Sequence, residues 1–266
     1  MTAFQDPTGQ TEPAPPSPYA LTDAIYDPES VRLLYARGVD EGWRCLEVGG
    51  GSGSIAKWLC SRVGTYGHVV VTDLDTSFMQ GLNEPTLEID THDIVSDPMP
   101  ERVFHLVHAR LVLGELPERD KALERMAASL RSDGWIVIED FDRRSLAPDS
   151  DDPDSAALFE KVESAVDEVL RAKGLDPEYG RRVFRRLAGL GVTSVISRGG
   201  NAVQPGGSPF AGVLRQQVAQ LEADLLASGL VGRQELDSFD ALLRDPAFAF
   251  MSPTMVTTWG RRPPSF

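Results

Sequence analysis

The sequence predicts an α/β fold, a doubly wound and mostly parallel sheet with helices on both faces. Three observations carry this. Residues 44–59, RCLEVGGGSGSIAKWL, pass from a short apolar run through four glycines in five positions into a helical pattern. Downstream, short strand-like runs alternate with helical patterns of about 10–15 residues, the rhythm of crossovers between parallel strands. Charged residues close successive runs, at Glu47, Asp73, Asp93, Arg110, Glu139 and Asp140. A doubly wound sheet brings such strand ends to one cleft.

The totals agree. At 266 residues the chain suits one such unit with insertions. A formal net charge of −14 and a pI near 4.7 oppose general nucleic-acid binding, because phosphates would meet a repulsive field. Cys45 and Cys60 lie in apolar patterns and read as buried thiols, so a reducing cytoplasm is expected. No apolar run nears the roughly 18 residues of a membrane span. The first residues lack the basic start and apolar core of a leader.

Residues 1–20, rich in Pro, Thr, Ser and Gln, are expected to be a disordered tail. Residues 19–26 read either as a lid over a ligand or as a floppy extension. Asp27 is expected to cap a helix with Pro28 in its first turn and Gly38 past its end. The first strand carries Glu47; the glycines follow, then a helix with Ile55, Trp58 and Leu59 inward. Residues 67–73 form a second buried strand ending in Asp73, 20 residues after Gly53. A short helix (76–82) and a third strand (86–89) precede Asp93 and Ile94.

Residues 104–110 read as the fourth strand and 135–138 as the fifth, with a helix opened by Pro117 between them. Residues 147–154 are an acidic linker. Two helices follow, one with Phe159, Val162, Val166, Val169 and Leu170 on a face, one over about 176–190. Arg181, Arg182, Arg185 and Arg186 on the second either hold an acidic group or form a solvated face, the commoner case. A sixth strand (192–196), a connector with Gly199, Gly200, Gly206 and Gly207, a helix (209–230) and a last strand (255–260) complete the chain. The expected units are thus 1–20, a disordered tail; 21–146, the core; 147–191, an inserted helical cap; and 192–266, the rest of the core sheet.

The glycine turn is where chemistry enters. Glycines there allow φ > 0 and let a ligand approach bare backbone. A dinucleotide fingerprint counted from Gly49 needs its third glycine at 54, where Ser54 stands. The pattern is instead E-x-G-x-G-x-G over Glu47, Gly49, Gly51 and Gly53, which resembles motif I of the class I S-adenosylmethionine (SAM) dependent methyltransferases. Asp73 at the second strand tip suits the two hydroxyls of a ribose. Asp93 followed by Ile94 suits an adenine, one group accepting from the amine and the other packing on the ring.

From about 28 to 262 the chain is similar to bacterial small-molecule SAM-dependent methyltransferases of the kind met in actinobacterial secondary metabolism. LEVGGGSGSIAKWL, VVVTDLD, THDI, FHLVHARLVLGELPER, LRSDGWIVIEDFD and VTTWGRRP carry that similarity. It implies a Rossmann-like sheet of order 3-2-1-4-5-7-6 with the last strand antiparallel. It implies SAM as cofactor, with Gly49, Gly51 and Gly53 along its methionine and ribose part and Glu47 near its amino-acid group. Asp73 would hold the ribose, Leu74 pack on adenine, Asp93 and Ile94 meet the adenine edge, and Arg110 lie beside the methionine end.

Two positions depart from the family pattern. His105 stands where Asp is common, at the amino end of the fourth strand and away from the cleft. Glu115–Leu116–Pro117 replaces the frequent His-Leu-Pro, which leaves the general base open among Glu115, Asp140 and His108; His108 reads more readily as a core histidine. Glu139, Asp140 and Asp142 make no metal site by spacing alone. Partners are expected to be a small-molecule acceptor and a second copy of the chain, with neither nucleic acid nor membrane. Methyl transfer, most simply to oxygen of a secondary metabolite, is the first reading. A rearrangement, cyclisation or elimination that keeps the cofactor is the second, and a non-catalytic binding module the third.

Overall fold

The computed structural model describes residues 17–264. In chain order the elements are α1 (Ala20–Ala36), β1 (Arg44–Val48), α2 (Ser54–Val63), β2 (His68–Asp73), β3 (Leu87–Thr91), β4 (Phe104–Arg110), α3 (Arg119–Ser129) and β5 (Leu130–Asp142). Then come β6 (Ala147–Asp149), α4 (Pro153–Ala172), α5 (Val183–Gly189), β7 (Thr193–Gly200), β8 (Val203–Pro205), α6 (Pro209–Ser228), α7 (Arg233–Leu242), β9 (Ala249–Met251) and β10 (Thr254–Arg261).

Seven strands form one sheet in the order β3-β2-β1-β4-β5-β10-β7. Counted within that sheet this is 3-2-1-4-5-7-6, the expected order. β1 to β5 run parallel, and β10 is antiparallel to both neighbours. Central parallel strands must be apolar on both faces because helices cover both. One face of the sheet meets α1 and α2 through Leu34, Ile55, Leu59, Val69 and Val71. The other packs Val107, Ile136 and Ile138 against Leu123 and Met126 of α3 and Val183 and Leu187 of α5.

A separate apolar core joins α4, α6 and α7. Its centre is aromatic: Phe159 stands 5.6 Å from Phe239 and 5.4 Å from Phe250, ring centre to ring centre. A small antiparallel sheet, β6-β9-β8, adds Phe250 to it.

Several expectations change. The helix expected to be capped by Asp27 starts at Ala20, with Asp27 and Pro28 inside it. The proline is exposed, and the polar side chains around it are anchored, as described below, so tertiary bonds hold a helix that local rules would end. The two helices expected together in a cap part company. Residues 176–190 are a 3-10 turn (Tyr179–Arg182) and the short α5, and both pack on the sheet. Only α4 joins the second core, and α6 and α7 join it there.

Gly199 and Gly200 are not connector residues, since β7 runs through them opposite Val256 and Met255. Three of the four clustered arginines are taken up by the chain's own acids: Arg181 pairs with Asp142, Arg182 with Asp176, and Arg186 with Asp120 at 3.3 Å. His105 lies far from the carboxyl ends of the strands, as its position implied; its Nδ1 accepts the Arg44 N–H at 3.0 Å. The expectation for residues 1–16 lies outside the described residues.

Candidate active site

A cleft of about 600 Å³ opens beyond the carboxyl ends of β1, β2 and β4. Its floor is the glycine turn. Gly49 and Gly51 have φ of 70° and 54°, the left-handed region that disfavours side chains. A Cβ on Gly49 would stand 2.2 Å from Val112 Cγ2, and one on Gly51 would point into the cleft, 3.3 Å from the Tyr19 ring. Both peptides therefore have to be bare, one for the fold and one toward the cavity.

Glu47, Gly49, Gly51, Asp73, Leu74, Asp93, Ile94, Arg110 and Glu115 all line this cleft. Four residues named from the sequence do not: His108 and Glu139, which lie beneath the floor as described below, and Gly53 and Asp140. Gly53 starts α2 and faces inward; a Cβ there would strike Leu82 at 2.3 Å. Asp140 is buried beneath the turn after β4, where it accepts the Gly114 N–H at 2.8 Å and the Phe141 N–H at 2.9 Å. Burial, and the nearby Glu115 and Asp176, push its carboxyl up to about 7 against the pull of those two amides. Asp140 holds a turn and does not reach the cavity.

The remaining acids differ in how they are engaged. Asp73 accepts the Gly51 N–H at 2.9 Å and the Asp75 N–H at 3.1 Å, which ties the second strand tip to the glycine turn. Asp93 accepts from Val95 N–H and Ser96 Oγ, both at 2.8 Å, and the Val95 amide foremost holds its carboxyl below the usual range. Its oxygens thus close their own turn, as an ordinary turn aspartate would.

Beneath the floor runs a buried chain of charge. His108 Nδ1 is 2.6 Å from Glu47 Oε2, and its Nε2 is 3.5 Å from Glu139 Oε2. Burial alone would lower the His108 pKa, but the two carboxylates more than reverse this and raise it to about 9. Glu139 also accepts from Ser30 of α1 and from Thr257 Oγ1. Burial opposes its charge, yet His108, Ser30 and Arg110 together hold its carboxyl below the usual value.

Arg110 extends the chain to the lid side. Its guanidinium donates to Asp27 at 2.7 Å, Asp23 at 3.2 Å and Ser30 Oγ at 3.0 Å. Ser52 and Ser54 of the glycine turn donate to Asp23 and Asp27 in turn. These bonds pin α1 over the cleft, with Tyr19 edge-on to Phe78 at 5.4 Å. Residues 20–26 are therefore helical cover. The opposite wall is α6, through Val213, Gln216, Gln217 and Gln220.

Glu115 is the exception among the cleft acids. Each of Asp23, Glu47, Asp73 and Asp93 has a hydrogen-bonding or ionic partner, whereas among the described residues Glu115 has none. Its side chain is exposed to the cavity, set in the concave cleft wall. That concavity, and then the Asp73 charge, raise its pKa above 4.5.

Residues 22–186 match the family described as a methyltransferase domain. The chain belongs to the class I SAM-dependent methyltransferases. Its glycine floor and the strand-tip Asp73 suit that cofactor, because bare left-handed backbone faces the cavity beside a carboxylate. This methyltransferase is 28% identical over 119 residues to the ubiquinone/menaquinone biosynthesis C-methyltransferase UbiE of Laribacter hongkongensis, covering 41% of the chain and 48% of the relative. The chain thus spans about half the length of the curated relatives it matches.

Among solved structures, the YcgJ protein from Bacillus subtilis superposes with a TM-score of 0.57 at 15% identity, covering 88% of this chain and 98% of that one. The [4+2]-cyclase SpnF does so at 0.51 and 15%, covering 89% and 82%. At these identities the likeness is one of fold. The family match ends before α6, so the glutamine wall lies outside it.

The sequence reading missed the α1 anchor and that wall. The glutamines left a signal: positions 216, 217 and 220 share one stripe of an otherwise apolar-patterned helix.

Proposed function

We propose that this methyltransferase methylates an oxygen of a small, uncharged, hydroxylated metabolite, with Glu115 as general base. The observation that carries the reading is the state of that one carboxylate, unpartnered at the cavity and raised in pKa, as a proton acceptor needs to be. When bound, the cofactor supplies an electrophilic methyl on its sulfonium sulfur. Gly49 and Gly51 would border its methionine and ribose part, Asp73 its ribose, and Leu74 and Ile94 its adenine. Asp93 contributes chiefly by shaping its turn, and Glu47 by fixing His108 under the floor.

Val112, Leu116, Phe141 and Val213 give the acceptor an apolar bed and exclude water. The cleft opposes an anionic acceptor, since its acids repel one and Arg110 is already held by Asp23 and Asp27. The match to named C-methyltransferases covers only 41% of the chain, so carbon and oxygen are separated by product analysis. Buried, unpaired Cys45 and Cys60 fit a reducing, cytoplasmic setting.

The test is incubation with methyl-labelled SAM and hydroxylated aromatic, polyketide and peptide-derived compounds. The expected product carries label on oxygen, with one S-adenosylhomocysteine per methyl. Label on carbon would overturn the oxygen assignment, and SAM-dependent turnover without label would favour the rearrangement reading. Gly51→Val tests the floor. A β-branched residue at φ 54° is strained by roughly 1–3 kcal/mol and fills the approach, so SAM should bind at least about 10-fold more weakly by calorimetry. Unchanged affinity would remove that peptide from the cofactor site.

A further inference from the structure

The glutamines of α6 differ in what they can offer a ligand, and the protein fixes the difference. Arg143 is buried and held by Glu163 and by Asp167, whose Oδ1 is 2.6 Å from its Nε. Its Nη1 reaches Gln217 Oε1 at 3.1 Å. A guanidinium has only donors, so the Gln217 amide can meet it only with its oxygen. The amide nitrogen is left to the other side. Among the described residues Gln217 Nε2 has no hydrogen-bond partner, although the side chain is half-buried in the cleft wall.

Gln216 is fixed in a different way. Its Nε2 donates to the Pro18 carbonyl at 3.0 Å, and a carbonyl can only accept, so one of its N–H groups is spent on the lid segment. Arg110, the cleft's guanidinium, is spent on α1. Among the described residues of the α6 wall, Gln217 is thus the half-buried amide that keeps both N–H groups for a ligand, where Gln216 keeps one.

We propose that Gln217 is a specificity-determining residue whose N–H groups receive a carbonyl oxygen of the acceptor, with Arg143 as its positioning residue. The acceptor is then an uncharged hydroxylated ketone or quinone. This rests on reading the cleft as the methyl-acceptor site. A site built to donate rejects an analogue that cannot accept, because the buried amide is then left unpaired.

Matched pairs test this on the full chain loaded with S-adenosylhomocysteine: naringenin against the flavan lacking its carbonyl, and 1-hydroxyanthraquinone against 1-hydroxyanthracene. Calorimetry on the wild type should give at least one ketone about 10-fold tighter than its partner, the worth of one such bond. Gln217→Glu and Gln217→Met should each bring that ratio within about twofold of unity, with S-adenosylhomocysteine affinity unchanged. Arg143→Lys lets the amide turn and should lower the same ratio; if that variant does not fold, the two Gln217 variants decide.

No preference in the wild type, no binding of any member, or a preference that survives both Gln217 variants would overturn the inference. Label transfer to both members of a pair at equal affinity would sink this inference while leaving methyl transfer intact. A Gln217-dependent preference without any label transfer would do the reverse.

Discussion

Replacing His108 by leucine should cost the fold about 3–5 kcal/mol, the scale for removing one partner from a buried ionic group. Glu47 and Glu139 would then face each other across β1, β4 and β5 with no cation between them. Ser30 and Thr257 would still donate to Glu139, but two neutral hydroxyls do not offset a second buried negative charge. Chemical denaturation of the two proteins measures the loss directly.

The loss should also depend on pH. His108 is raised from 6.5 to about 9, so its contribution is complete below pH 6.5 and is lost as pH climbs through 9. Glu139 is held below 4.5, so its contribution is complete above that value and is lost as pH falls further. The stability gap between wild type and His108→Leu should therefore be widest between pH 4.5 and 6.5 and should shrink toward pH 10. A gap that stayed constant from pH 6 to 10, or a His108 NMR titration near 6.5, would refute the buried imidazolium.

Glu115→Gln should lower kcat by about 10²–10⁴-fold, the usual worth of a positioned base. The substitution keeps shape and takes away the proton acceptor. Affinity for SAM should stay within about threefold, because no bond of the glycine floor involves this side chain. The pH profile separates a base from a mere wall residue. Only the ionised carboxylate accepts a proton, and its pKa is raised above 4.5 by its concave surroundings and by the Asp73 charge. The wild-type rate should therefore climb with pH along a limb lying above 4.5, and the variant should lose that limb. A kcat within threefold of wild type would return the base to open question.

Much of this was legible before any coordinates. Residues 104–110 match β4 at both ends, because a buried parallel strand is a continuous apolar run closed by a charge. Glu47, Asp73 and Arg110 converge because parallel strands share an end. What escaped was whatever depends on a distant partner. Asp27 looks like a cap in isolation; only Arg110, 83 residues away, makes it an ion-pair partner inside a longer helix.

Asp140 looks like a base at a strand tip until Gly114 is seen folded over it. Gly53 satisfies the motif by spacing, yet what it makes room for is Leu82. The helix at 183–189 follows α4 closely in sequence and so reads as part of the cap, but burial of Val183 and Leu187 on the sheet decides otherwise.

The aromatic core around Phe159 has an evolutionary consequence. The glycine floor is braced by the large sheet, while the α6 wall, the acceptor side in the reading proposed above, is braced by α4 and α7. Mutations in one support need not disturb the other, beyond neighbours in direct contact. Selection can therefore rework which molecule is modified while inheriting the donor apparatus unaltered, and laboratory recombination has a natural seam to cut along.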